Sequence, residues 1–178
     1  MRSGLVAMVL TALTLLGATR AEAQFVATMS ELVRFHDVRT GARLYTIDRR
    51  DPALAGTSLR VEGIAAYVFG AQELTSVPLH RFVEARSGDR LYTLDPEARA
   101  LRDADYRHEG ICCYAFAEAI FGTVPLFAYV ELATGRHVYT TDAVELRDHL
   151  AYRAEGIAAH VYPATAPLPL LTHGARAR

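Results

Sequence analysis

The sequence predicts an α+β fold, mostly β, of three β-β-α-β repeats closed around a pseudo-threefold axis. Three observations carry this reading. The stretch LHRFVEARSGDRLYTLDPEARALRDADYRHEGICCYAF from Leu79 has counterparts opening at Leu32 and Leu126, and both spacings are 47 residues. Each copy places a glycine at the same point of a turn between two alternating segments, and helix-start signals follow the second segment. A fixed period of this size marks supersecondary units that bury their apolar faces on one another. Three equal units suggest closure, which also hides sheet edges. A β-trefoil is the alternative, and the helix starts count against it.

The chain opens MRSGLVAMVLTALTLLGATRAEAQ. Arg2, the apolar run Leu5 to Gly17 and Ala21-Glu22-Ala23 read as a secretory signal peptide over 1–23, too short for a good membrane span. The other reading of this segment is a buried first helix. Cleavage near Ala23 leaves a secreted or periplasmic chain with no membrane span. Residues 24–31 lead in, 32–163 form one domain (32–78, 79–125 and 126–163), and the proline-punctuated 164–178 is a loose tail.

In the central unit Leu79 to Ala85 alternates, Arg86-Ser87-Gly88-Asp89 turns, and Arg90 to Leu94 returns. Gly41, Gly88 and Gly135 occupy the same turn position, which calls for positive φ and a glycine bulge. Helix starts are read at Asp95-Pro96, an N-cap followed by proline, and at Asp142 with Glu145, a capping box. Asp51-Pro52 is weaker because Gly56, Thr57 and Ser58 follow. A third strand runs from Ile111 to Phe116. Period-two counting puts Phe82, Tyr92, Tyr114 and Phe116 on one face, with Leu91, Thr93, Ile111 and Ala115 on the other.

Removing residues 1–23 leaves 17 arginines, no lysine and 19 acidic residues. That near-neutral balance has no phosphate-binding footprint, so nucleic acid is not the expected partner. Cys112 and Cys113 are adjacent, and strand neighbours point to opposite faces. They are read as small apolar residues at the positions of Ala65-Ala66 and Ala158-Ala159, a vicinal disulfide being the other reading.

The units resemble a family of secreted repeats classed as a domain of unknown function. Its copies read roughly R-[FY]-x(4)-[ST]-G-x-H-[FY]-Y-T-x-D, a short helix, then Y-x-x-E-G-I-x-x-Y, and the match covers residues 32 to 162. The resemblance implies a non-catalytic module directed at cell wall or glycan, because family members are sometimes appended to cell-wall hydrolases. The family's histidine after the turn glycine is Arg43, Arg90 and His137 here, and the family's tryptophan is missing.

The candidate binding residues recur with the repeat. Glu62, Glu109 and Glu155 each stand two residues after Arg60, Arg107 and Arg153, a pairing suited to sugar hydroxyls or to holding the fold. Tyr45, Tyr92 and Tyr139 could stack on a sugar ring or fill the core. Near-identical units argue against splitting acid and base roles between carboxylates, as glycoside hydrolysis requires. The histidines share no metal-ligand spacing. The expectation is therefore a binding module for envelope or extracellular glycan, with no catalytic residue, metal or cofactor. The alternatives are a structural or protein-interaction scaffold and, beyond that, an enzyme.

Overall fold

Nine antiparallel strands, three from each repeat, build the domain in the computed structural model, which describes residues 29–73, 75–98, 101 and 105–165. They are β1 (Met29–His36), β2 (Arg43–Thr46), β3 (Arg60–Phe69), β4 (Val77–Glu84), β5 (Arg90–Thr93), β6 (Tyr106–Ala115), β7 (Val124–Glu131), β8 (His137–Thr140) and β9 (Tyr152–Pro163). All belong to one compact unit, Ser30–Thr165, apart from Met29. The expected signal peptide, most of the lead-in and nearly all of the tail lie outside the described residues.

Within each unit the first strand is central, flanked by the second on one side and the third on the other. The hairpin turn follows its sequence. Gly41, Gly88 and Gly135 have φ of 73°, 71° and 71°, a conformation that costs a Cβ-bearing residue energy. Their amides donate to Asp37, Glu84 and Glu131 carbonyls at 2.7, 2.9 and 2.8 Å. The Y-T-x-D word also has a local reason. Thr46, Thr93 and Thr140 hydroxyls accept the amides of Asp48, Asp95 and Asp142. Those aspartates in turn accept the amide two residues on, so the chain leaves the hairpin through a side-chain-braced turn.

The α+β class does not hold. Apart from Leu101, the described residues outside turns and loops form antiparallel sheet and a short 3-10 helix, Pro52–Leu54, where Asp51 accepts the Ala53 amide. The Asp142 segment is a run of turns. Its expected capping box is not formed, because the Glu145 carboxylate goes to Thr140 and to Arg34. Past Ala98 the Asp95 segment is described only at Leu101, which is helical and donates its amide to the Ala98 carbonyl. Aspartate caps serve turns as well as helices, and a one-turn helix has too few hydrogen bonds to offset its nucleation. The linkers instead dock a few apolar residues: Ala53, Leu54 and Leu59 against Val33, Phe35 and Leu44, and Leu146 against Tyr129 and Val138.

The third strands pair with one another at their ends: Phe69 opposite Tyr114, Tyr67 opposite Tyr162, and Phe116 bridged to His160. Around this junction Phe69, Phe116 and Tyr162 form three edge-to-face contacts at 5.7, 6.1 and 6.2 Å. A second aromatic trio, Tyr45, Tyr92 and Tyr139, packs edge to face at 5.5, 5.5 and 5.2 Å. Each of these phenols grips the backbone of another unit. The Tyr45 amide donates to Tyr92 Oη at 2.8 Å, Tyr92 to Tyr139 Oη at 2.9 Å, and Tyr139 to Tyr45 Oη at 2.9 Å. Tyr92 Oη and Tyr45 Oη also donate to the Tyr45 and Tyr139 carbonyls. Leu32, Leu79, Leu126, Ala66, Cys113 and Ala159 complete this buried centre. Burial pushes Tyr45 up to about 12 and raises Tyr92 and Tyr139.

The single aromatic face also needs correcting. Tyr45 stands opposite Arg34, Tyr92 opposite Arg81 and Tyr139 opposite Ala128, whereas Phe35 faces Leu44 and Phe82 faces Leu91. The phenylalanines therefore lie on the opposite face of the hairpin from the tyrosines. The third strands break period two as well. In β6 the register steps from His80–Ile111 and Arg81–Gly110 to Phe82–His108, which leaves Glu109 as an extra, unpaired residue. A second step, from Leu79–Cys113 to His80–Ile111, leaves Cys112 unpaired. β9 repeats both steps at Glu155 and Ala158. Such bulges re-aim the side chains beside them. Gly110 and Gly156, next to the bulged glutamates, both have φ of 122°. Cys112 and Cys113 are free thiols.

Candidate binding cleft between units

A cleft of about 200 Å³ opens between the first and second units. Thr46, Ile47, Asp48, Asp51 and Pro52 line one wall, and Arg81, Glu109, Gly110, Ile111 and Cys112 the other. The β6 bulge creates its chemistry, since it turns Glu109 toward Arg81 and leaves Ile111 facing out. Arg81 binds Asp51 through two nitrogens, Nη1–Oδ2 at 2.5 Å and Nη2–Oδ1 at 3.2 Å. Its Nε lies 2.9 Å from Glu109 Oε2, which Arg90 Nε also approaches at 3.2 Å.

These four groups carry two positive and two negative charges, but Arg90 is not part of the lining and Asp48 is, so the lining itself sets one arginine against three carboxylates. Burial opposes the charge on Asp51, but hydrogen bonds from Arg81 and the Ala53 amide outweigh it and hold the carboxylate at about 2. Burial likewise opposes the charge on Arg81, yet Asp51 and Glu109 raise its pKa further. Asp51 and Arg81 therefore stay ionised near neutral pH, as fixed hydrogen-bonding groups.

The same construction recurs at a second interface and is lost at the third. Arg34, 47 residues before Arg81, binds Glu62 at 2.9 Å and Glu145 of the third unit at 3.3 Å. Glu145 occupies the repeat position of Asp51. In the remaining pair of units these two positions are Ala128 and Ala98. There a histidine cluster links the second and third units. His137 Nδ1 lies 2.6 Å from Asp89, Tyr106 Oη donates to the same carboxylate at 2.5 Å, and His137 Nε2 lies 3.0 Å from Glu155. Burial opposes a proton on His137, but Asp89 and Glu155 raise its pKa above the ordinary value.

The sequence-derived candidates divide between these places. Tyr45, Tyr92 and Tyr139 are buried at the centre, so their reading as sugar-stacking contacts gives way to a core role. Glu109 lines the cleft and pairs with Arg90 at 3.2 Å, which is not part of the lining, and with Arg107 at 3.8 Å. Glu62 pairs with Arg34 from β1, and Arg60 is exposed. Glu155 pairs with both His137 and Arg153. Arg43 is half-buried, and its Nε makes no hydrogen bond to the described residues.

Sequence reasoning passed over Arg34, Arg81, Asp51 and the isoleucines of the E-G-I word. Ile64, Ile111 and Ile157 are 38%, 49% and 53% exposed. The available signal was joint loss, since the third unit replaces the arginine and the second its acidic partner by alanine.

A model of the Domain of unknown function (DUF5648) matches residues 31–162. The chain belongs to this family. No curated protein and no solved structure matches the chain. In this DUF5648 domain the glycine, tyrosine, threonine and aspartate of the repeated words are absorbed by the fold. The E-G-I word keeps its isoleucine on the surface. No helix among the described residues is long and apolar enough to cross a membrane.

Proposed function

We propose that this DUF5648 domain is a secreted, non-catalytic module that binds a neutral glycan of the envelope or extracellular matrix at the cleft between its first and second units. The observation that carries the proposal is Ile111, an exposed isoleucine that recurs in every unit and here lines the cleft beside Arg81, Asp51 and Glu109. Core packing accounts for the recurring tyrosines, but it gives no reason to repeat an isoleucine in solvent. An apolar side chain next to fixed donors and acceptors matches a sugar ring, whose C–H face and hydroxyls need both. The cleft is smaller than the ~300–1,000 Å³ of drug-sized pockets, so it holds one ring of a longer chain. The surplus of carboxylates in the lining also disfavours an anionic ligand.

Catalysis is not part of this reading. Hydrolysis by paired carboxylates needs two of them free to face the bond that breaks, and Asp51 and Glu109 are both tied to Arg81. The proposed location, outside the cytoplasm after cleavage near Ala23, rests on the amino-terminal sequence. The test is a glycan array and a cell-wall pulldown with the purified protein. Retention of a neutral polysaccharide supports the proposal. Capture of proteins alone, with no carbohydrate bound, selects the scaffold reading.

A further inference from the structure

We propose that His80 and His108 form a two-histidine chelate for a divalent transition-metal ion, with water completing the coordination. His80 lies on β4 and His108 on the adjacent β6, and His80 Nδ1 is 3.2 Å from His108 Nε2. Two imidazole nitrogens each ~2.0–2.1 Å from one tetrahedral ion stand about 3.3 Å apart, and about 2.9 Å apart when they are neighbours around a square-planar or octahedral ion. The observed separation lies within that span. The register step at Glu109 sets it up: His80 pairs with Ile111 and Phe82 with His108, so the imidazoles meet on a diagonal. Phe82 packs on His108 with ring centres 4.6 Å apart and helps fix its orientation.

The other units show that the fold does not need these imidazoles. The position of His80 is Val33 in the first unit and Phe127 in the third, and that of His108 is Val61 and Ala154. Both positions change to histidine together, in one unit only. Imidazole donors suit Zn²⁺, Ni²⁺ or Cu²⁺ and not Ca²⁺ or Mg²⁺. Among the described residues no group of three or more His, Cys, Asp or Glu could hold a metal ion. The chain thus contributes two ligands, and His108 is exposed, which leaves the remaining coordination positions to solvent. A single imidazole–imidazole hydrogen bond would show the same distance, and a titration separates the two.

Zn²⁺ and Ni²⁺ are titrated by calorimetry into the purified, untagged protein and into His80→Val/His108→Val, which copies the first unit. The wild type is expected to take up one ion and to melt at a higher temperature with it, because the ion binds only the folded state. The variant is expected to bind at least about tenfold more weakly and to show no such shift. Equal uptake by both proteins, or no uptake by the wild type, overturns the proposal. His108→Ala, which copies the third unit at an exposed position, gives the same comparison if the double variant folds poorly.

Discussion

At the buried centre the three units are interchangeable, and at the interfaces around it they are not. Tyr45, Tyr92 and Tyr139 repeat the same ring contacts, and each accepts the same amide bond from another unit. Away from the centre, one interface is closed by Asp51, Arg81 and Glu109, a second by Glu145, Arg34 and Glu62, and a third by Asp89 and His137. The difference follows from the cost of change. A central phenol contacts both other units, so one altered copy disturbs two interfaces at once. A peripheral ion pair touches one interface and can be replaced if both partners change together.

The largest expected effect tests that last point. Arg81→Met leaves Asp51 and Glu109 buried beside an apolar chain and should cost about 3–5 kcal/mol, the range for breaking a buried pair from one side. Arg81→Ala with Asp51→Ala, which copies Ala128 and Ala98, should cost less than the two single substitutions added together. Urea unfolding of the three proteins gives the coupling. Additive costs would mean that the pair is not a unit.

Tyr92→Phe removes the Tyr92 hydroxyl that serves both the amide and the carbonyl of Tyr45. The buried Tyr45 amide loses its partner and the carbonyl keeps only the weak Cys112 thiol at 3.5 Å, so a loss of about 2–3 kcal/mol is expected. A shift in urea midpoint at constant slope measures it.

The phenols also set an alkaline limit. Tyr45 is held at about 12, above the ~10 of an unfolded tyrosine. The folded state therefore keeps a proton that the unfolded state gives up. Its stabilisation is complete below pH ~10 and is lost as pH rises towards 12, by roughly 2–3 kcal/mol. Asp51 acts in the opposite sense. Its contribution is complete above pH ~4 and is lost as pH falls towards 2. Melting temperature against pH should fall at both ends, and a flat alkaline limb to pH 12 would contradict the buried trio.

Gly88→Ala should cost about 1 kcal/mol. A Cβ there meets nothing within 4 Å, so the cost is backbone strain at φ 71° and not a clash.

How much of this was legible follows the same division. The hairpins, their glycines and the third strands could be read from the repeat, because turn chemistry is local. The helix expected at Asp142 could not, since Asp142 braces a turn with the same hydrogen bond that would cap a helix. Strand faces failed where register intervened. Counting in twos through the hairpin set Phe82 beside Tyr92, and the bulges at Glu109 and Cys112 moved Ile111 to the surface. The site was half legible. Glu109 and Arg90 were singled out by recurrence, but Arg81 meets Asp51 from 30 residues away, a contact that only the closed arrangement of units produces.

The most direct test of the division between a structural centre and a ligand-binding cleft is the affinity of Ile111→Ser for the neutral polysaccharide retained in the pulldown, measured alongside its melting temperature. Loss of a half-exposed apolar side chain that a sugar ring would cover is worth about 1 kcal/mol, which weakens binding roughly five- to tenfold. The melting temperature should stay within a few degrees of the wild type, because about half of the residue's surface is already in water. Unchanged affinity would remove the isoleucine from the site, and a large drop in melting temperature with unchanged affinity would place it in the scaffold.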